Sequence, residues 1–401
     1  MLYSNSLLPL LHFLLGTVSL LVQEVLEPFC IYYHCELYIE VLTLAFFPPT
    51  EIKEHLGQDW QAVETLMKES LSSDNPYINA INGYMLSNSG KGMRPLLCLL
   101  SAKLCLNQMA SFTCKAGSGS TVTGQGHIAS DMMPKSVHAC AAAVEILHNG
   151  TLMHDDVADG SGLRRGKPTV NSLFGNAASV LSGDYWFSKS FLLVYRNCGP
   201  NILELFADAI INLSTGELIQ LDKASKLDTT FKDYCRIIEG KTASLFSTAI
   251  VGGALCALAS SRPGRSGEHI VNALRKYALN LGLAFQMRDD IFDYTPDIDS
   301  GKPAGQDLLE HKITLPLICA MRNGGKEILS AVEKIAPSNP ENEQCIAQVL
   351  DFVKRYSGVP VAQMVLDEYI EKGIAALEEF ADCPEKRILV DFARFVGKRR
   401  M

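Results

Sequence analysis

Residues 139–159 read ACAAAVEILHNGTLMHDDVAD, and residues 280–293 read NLGLAFQMRDDIFD. Both stretches are apolar around most of the helical circumference, which marks helices buried inside a large bundle. Both end in the same pattern, D-D-x-x-D: Asp155, Asp156 and Asp159 in the first, Asp289, Asp290 and Asp293 in the second. Residues four apart share a helix face, so Asp155 projects with Asp159 and Asp289 with Asp293. Like charges at that spacing destabilise a helix, and the partial negative charge of a helix C-terminus makes matters worse. One such triad would pass as a solvated acidic face. Two identical ones, each closing a buried helix, require a neutralising cation. Donors that are all carboxylate oxygens suit Mg²⁺, which keeps several waters and shares its shell with substrate phosphates. EF-hand spacing is absent, so a dedicated calcium site is not supported.

The same helical spacing extends outward. Residues 93–106, 137–159, 177–195, 202–221, 241–259, 269–294 and 363–379 read as helices, and β-alternation is scarce, so the fold class is all-α. No Rossmann or P-loop glycine pattern follows a strand. A Gly/Ser/Thr-rich stretch, 111–136, reads as a surface loop within one domain, and SSRPGRSGE at 260–268 is a second break. The 401 residues are 47% hydrophobic and 20% charged, which suits a globular core, and the net charge of −8 argues against a nucleic-acid partner. Twelve cysteines lack paired C-x-x-C spacing and read as reduced, buried thiols of a cytoplasmic protein rather than as a zinc site.

Residues 7–22, LLPLLHFLLGTVSLLV, are apolar, yet no Lys or Arg precedes Lys53. The basic flank of a signal peptide is therefore missing, and the run falls short of the roughly 20 residues a membrane span needs. Residues 1–48 are expected to stand outside the working protein. The alternative is a peripheral, membrane-associating extension. The working domain is placed at 49–401.

Diphosphate oxygens left over by a metal need cationic groups. Directly after the first triad, GSGLRRGKPT presents Arg164 and Arg165 beyond helix-breaking glycines. GKGMRP at 90–95 places Lys91 and Arg94 at a helix entrance, and GKT at 240–242 offers Lys241 and the Thr242 hydroxyl. Lys302 and Lys312 flank GKPAGQDLLEHK after the second triad, and His148 lies seven residues before Asp155 on the same face.

Taken in order, GKGMRP, HDDVADGSGLRRGKPT, GKT, FQMRDDIFD and GKPAGQD resemble the trans-isoprenyl diphosphate synthase family, particularly its long-chain polyprenyl branch, over roughly residues 50–401. The resemblance implies a single large helical bundle around a deep central cavity, usually a homodimer. It implies that Lys91, Arg94, His148 and Arg165 bind isopentenyl diphosphate. Arg164, Lys241, Thr242, Gln286 and Lys302 would hold the allylic diphosphate. Both triads would bind magnesium, chiefly through Asp155, Asp159 and Asp289. Gly92 and Met93 depart from the bulkier or basic residues common inside the first motif, and the 111–136 loop is longer than usual. A class I terpene cyclase would share the acidic helix but not the isopentenyl site, and a non-catalytic subunit would tend to lose triad residues. Finally, Gly150 and Thr151 lie five and four residues before Asp155, where short-chain members carry an aromatic floor. A glycine there predicts an open tunnel and a long product, with a peripheral membrane contact at product release left open.

Overall fold

The computed structural model describes residues 49–88, 90–116, 133–259, 264–295, 304–336 and 339–399. The 1–48 extension, Lys302 and the centre of the 111–136 loop lie outside them. The described residues form α1 (Pro49–Leu56), α2 (Gln58–Leu71), α3 (Pro76–Ser87), α4 (Met93–Ala116) and α5 (Lys135–Ala158). A short hairpin, β1 (Leu163–Arg164) and β2 (Lys167–Pro168), follows, and then α6 (Val170–Phe174), α7 (Asn176–Asn197), α8 (Pro200–Lys226), α9 (Phe231–Ile238) and α10 (Ser244–Ala259). The remainder is α11 (Gly264–Phe292), α12 (Gln306–Leu309), α13 (Leu315–Gly324), α14 (Leu329–Glu333), α15 (Asn342–Arg355), α16 (Gly358–Ala376) and α17 (Pro384–Lys398).

Local chemistry sets several of these boundaries. Asn75 accepts from the Tyr77 N–H at 2.9 Å, with Pro76 at the first helical position of α3. Thr230 and Asp233 form a reciprocal capping box at the start of α9. Pro200 and Pro384 open α8 and α17.

Helix α5 is the axis of the core. Val137 to Leu147 are buried on every face, and α5 packs mainly against α7, with α4 and α10 behind it. The α5–α7 seam is pinned by Ser190 Oγ donating to the Ala143 carbonyl and Ser179 Oγ to that of Met153, both at 2.9 Å. Helix α10 meets α4 through Ser101, whose hydroxyl reaches the Ile250 carbonyl at 2.9 Å. A satellite core, including Leu308, Leu317, Val332 and Val349, joins α12 to α15.

The span 231–259 is long and apolar enough to cross a membrane, but 78% of its most apolar window is buried in the bundle. It is a core helix. The cysteines with described side chains are free thiols, and Cys98, Cys105, Cys140 and Cys256 lie in the core.

Two buried polar clusters tie the ends of this unit together. Glu385, 2% exposed at the start of α17, accepts from His55 of α1 and Asn107 of α4, each at 2.9 Å. Burial alone would raise its pKa, yet His55, a backbone N–H and Lys103 hold it below the usual carboxylate value. Asp59 on α2 contacts His138 of α5 at 2.7 Å and accepts the Met133 N–H at 2.9 Å.

Candidate functional site

Helices α9 and α10 are one helical run, joined by a π turn at Glu239–Ala243 that contains the GKT sequence. The turn presses against α8: a methyl group at Gly240 would overlap the Asn212 carbonyl oxygen, and one at Gly216 would sit 3.1 Å from the Lys241 nitrogen. This crossing aims Lys241 along α8, where Nζ pairs with Glu217 Oε1 at 2.7 Å. The next side chain points to α11, with Thr242 Oγ1 donating to Gln286 Oε1 at 2.6 Å.

The second triad divides its labour. Asp290 is 4% exposed and accepts from Gln286 Nε2 at 2.9 Å and from the Tyr234 hydroxyl at 2.6 Å. Burial lifts its pKa to about 6, against the pull of those two donors. Asp293 accepts the N–H groups of Gln306 and Asp307 at 2.8 and 3.0 Å and so caps α12. Asp289 alone faces outward, with its side chain 42% exposed and an Arg399 nitrogen 2.5 Å from Oδ1. Tyr234, Lys241, Gln286, Asp290, Asp307 and Lys312 line a cavity of about 160 Å³ beside this triad. Burial, aided by Asp290 and Asp293, pushes the Asp307 carboxyl well above its ordinary pKa.

In the first triad, Asp156 is 3% exposed and takes two contacts from Arg164, 2.8 Å from Nε and 2.7 Å from Nη2. Arg164 is thus bound to the triad itself. Asp159 is the exposed C-cap of α5. Asp155 has its pKa pushed up to about 6, first by burial and then by Glu217 and Asp159, with Lys241 opposing them. Lys241 also acts on Asp290, so it stands electrostatically between the two triads.

Two turns up α5, the third group of predicted residues gathers. The backbone of Gly90 lies directly against the Arg165 guanidinium, where any side chain would collide. Arg165 Nη1 donates to the Asn88 carbonyl at 3.2 Å and Lys167 Nζ reaches Asn88 Oδ1 at 2.5 Å, docking the β1–β2 hairpin onto the first motif. Arg94 has a buried Nε with no hydrogen-bond partner, and its guanidinium carbon lies 5.0 Å from the Phe246 ring centre. Burial and the nearby Arg165 lower its pKa to about 10, while Glu145 opposes them. His148 is held well below its usual pKa by burial and by Arg94, Arg165 and Arg164, so its imidazole is neutral. Lys91 is exposed at the entrance.

Several residues here escaped the sequence reading: Glu217, Tyr234, Asp307, Arg399 and Glu145. Glu145 lies on α5, 5% exposed, and its pKa is raised by burial against the pull of Arg94 and Arg165. Its signal was present as a lone acid inside an apolar run.

Among the described residues, no three His, Cys, Asp or Glu side chains converge into a cage that would hold a metal alone. The donor set still fits Mg²⁺. Asp155 and Asp289 offer hard carboxylate oxygens at the ends of two helices, Asp289 with Oδ1 held by Arg399. Such a set suits an ion that completes its shell with water and phosphate. The raised pKa of Asp155 has a measurable consequence. A folded-state pKa above the unfolded one means that the stabilisation is present at low pH and is lost as pH rises from about 4 to about 6. Asp155→Asn is therefore expected to raise the melting temperature of the metal-free protein at pH 7.5 by about 1–3 °C and to do little at pH 4. No gain at pH 7.5 would show that the carboxylate is not strained.

Comparison with known proteins fits this geometry. The family model described as polyprenyl synthetase matches residues 75–353. The chain belongs to the polyprenyl synthetase family. It is 32% identical over 350 residues to the all-trans-nonaprenyl-diphosphate synthase (geranyl-diphosphate specific) of Rhodobacter capsulatus, covering 87% of this chain and 97% of that protein. It is equally similar, at 32%, to the octaprenyl diphosphate synthase of Escherichia coli K12, covering 87% and 98%. The crystal structure of a decaprenyl diphosphate synthase from Rhodobacter capsulatus aligns with a TM-score of 0.73 at 31% identity, over 87% of this chain and 98% of that one. A polyprenyl synthase from Caulobacter crescentus CB15, complexed with calcium and isoprenyl diphosphate, aligns equally well at 0.73 and 31%, over 88% and 98%. The all-α isoprenoid synthase fold and prenyltransferase activity follow from family membership.

One expectation fails against the structure. Gly150 does not open a tunnel: a methyl group there would lie 2.6 Å from the Phe187 ring and 3.3 Å from the Gly183 carbonyl. The glycine permits the close α5–α7 crossing, with the Phe187 ring seated against it. Counting residues along the helix axis gave the distance from the triad but not the neighbour. Gly150→Phe is accordingly expected to be a packing mutant, losing several degrees in melting temperature before any change in product is seen.

Proposed function

We propose that this chain is a trans-prenyltransferase that condenses an allylic diphosphate with isopentenyl diphosphate repeatedly, giving a long-chain polyprenyl diphosphate. The observation that carries the reading is that α5 bears two stations of opposite charge. Asp155 lies at its lower end beside Lys241, and the neutral His148 lies two turns above, among Arg94, Arg164 and Arg165.

Magnesium, bound through Asp155 and Asp289 with Asp159 in support, would neutralise the departing diphosphate of the allylic substrate. Lys241 adds a fixed positive charge between the triads, and Arg164 supplies a second once substrate competes with Asp156 for it. Thr242 and Gln286 form a chain of donors leading to Asp290, which holds the Gln286 amide in place. Arg94, Arg165 and Lys91 hold the diphosphate of isopentenyl diphosphate and bring its alkene to the allylic carbon. The buried, unpartnered Nε of Arg94 is a donor awaiting an acceptor there. A neutral His148 can donate without adding a full charge. The apolar faces of α5 and α10 keep water from the cation. The proton lost at the end passes to the released diphosphate. Lys302 is proposed as a further allylic-diphosphate contact on the resemblance alone.

The chain is proposed to act as a homodimer in the cytoplasm. Leu181, Leu192 and Tyr195 on α7 share one exposed face, as do Ile211, Leu218 and Leu221 on the adjacent α8, with Tyr195 72% and Leu218 67% exposed. Such a patch suits a second copy of the chain. Sedimentation of the double variant Leu181→Glu, Leu218→Glu should give half the wild-type mass, and an unchanged mass would place the interface elsewhere. The activity itself is tested by incubating the purified chain with labelled isopentenyl diphosphate and separate allylic primers, then sizing the products. Cyclic hydrocarbon products, or no product without a second protein, would replace this reading by a cyclase or a partner subunit.

A further inference from the structure

Arg399 leaves the end of α17 with an extended backbone, at φ −55° and ψ 145°. Its N–H remains tied to the Phe395 carbonyl at 2.7 Å. Its own carbonyl accepts twice from the guanidinium of Arg288, 2.8 Å from Nε and 2.6 Å from Nη2. Arg288 is held in turn by Gln363 Oε1 at 2.7 Å. The backbone is thus held on both sides, and the side chain runs across α11 to the second triad.

There the guanidinium is wedged. Its carbon lies 3.9 Å from the Phe285 ring centre and 5.7 Å from that of Phe292. Nη2 donates to the Phe285 carbonyl at 3.1 Å and to Asp289 Oδ1 at 2.5 Å. The side chain is only 11% exposed, and Nε is buried without a hydrogen-bond partner. A cation at this place offsets both the Asp289 charge and the negative end of α11. The first triad differs. Its most buried charge, Asp156, is paired with Arg164, but the cation that acts most on Asp155, Lys241, is bonded to Glu217.

We propose that Arg399 is the resident cation of the second triad: it holds Asp289 in its working orientation while no metal is present and gives up that carboxylate oxygen when a divalent ion arrives with diphosphate. The inference rests on the proposed role of Asp289 as a metal ligand. The guanidinium already neutralises Asp289 and repels a divalent ion placed on the same carboxylate, so metal binding at Asp289 competes electrostatically with an internal arginine. The cations acting on Asp155, Lys241 and Arg164, are instead bonded to Glu217 and Asp156. Arg399 is thus a positioning residue, and its loss should ease metal entry rather than hinder it.

The test is direct titration of the full chain with Mn²⁺ in the presence of inorganic pyrophosphate, followed by calorimetry and by the Mn²⁺ paramagnetic signal. Arg399→Gln is expected to tighten the weaker class of Mn²⁺ sites by about three- to tenfold, the scale of a partly buried ion pair. Arg399→Lys should restore near wild-type affinity. Arg288→Gln, which loosens the clamp without touching Asp289, should move affinity in the same direction as Arg399→Gln and covers the case in which that variant does not fold. In an Asp289→Asn background, Arg399→Gln should change nothing. Unchanged or weaker Mn²⁺ binding in both Arg399→Gln and Arg288→Gln overturns the inference while leaving the metal assignment standing. Failure of the wild-type chain to bind Mn²⁺ with pyrophosphate overturns the metal assignment, and the inference falls with it.

Discussion

Asp155→Ala is expected to lower kcat by about three orders of magnitude while leaving the helical content and the bundle intact. The carboxylate sits on the last turn of α5 with no hydrogen bond that organises its neighbours, and its charge is a burden on the metal-free fold. Its removal therefore costs the transition state, where diphosphate charge must be neutralised, and not the packing. Asp289→Ala should be comparably inactive, and it also leaves the buried Arg399 guanidinium without its carboxylate. Asp290→Ala should behave differently, losing stability as well, because Tyr234 and Gln286 would be left without their buried acceptor. The measurement is steady-state turnover at saturating Mg²⁺ alongside thermal denaturation of each variant. Near-normal turnover of Asp155→Ala would remove the metal reading of the first triad.

Gly240→Val is expected to abolish activity through the backbone, with no catalytic side chain altered. The π turn and α8 cross with no room for a side chain at Gly240, and Gly216 faces it from the other helix. Inserting a branched side chain must part the helices, at a cost of about 1–3 kcal/mol or more. The same movement separates Lys241 from Glu217 and Thr242 from Gln286, so both contacts of the turn with its neighbours are lost. The expected result is a melting temperature lowered by several degrees, and turnover that does not recover at a temperature where the variant is fully folded. Full activity at such a temperature would mean that the placement of Lys241 does not depend on the crossing.

Much of this was legible before any coordinates. The two triads, the arginine pair and the GKGMRP motif stand on helices or at their ends because apolar periodicity and glycine breaks identify those elements reliably. Other parts were hidden for physical reasons. Helix α17 is not among the helices that the sequence pattern marks, although Leu389, Phe392, Ala393 and Val396 bury one face at helical spacing, because charged residues on its outer face dilute the pattern. The short helices α1 to α3 were missed likewise. GKT was read as a short motif, and nothing in three residues announces a π turn within a continuous helix. Lys241 and Glu217 meet only because two glycines let α8 and the turn approach, and that pairing belongs to tertiary structure. The Gly150 expectation failed on the same ground, since Phe187 comes from another helix. The six triad carboxylates also have distinct surroundings that the repeated motif does not announce, with Asp290 and Asp293 engaged by the protein's own donors.

The polar cluster around Glu385 bears on how the protein is made. His55 and Glu385 are 330 positions apart in the chain, and Asn107 and Glu385 are 278 apart. Arg288 and the carbonyl of Arg399 are separated by 111. Contacts of such range close late, because the chain between them must first be ordered. A nascent chain emerging from the ribosome can assemble α5 against α7 early, for both lie in its first half. It cannot seat α1 and α4 on Glu385, or set Asp289 against Arg399, until α17 has emerged. Helical structure during synthesis thus precedes the finished surroundings of the second triad, and removal of α17 disturbs α1 and α4 as well as that triad.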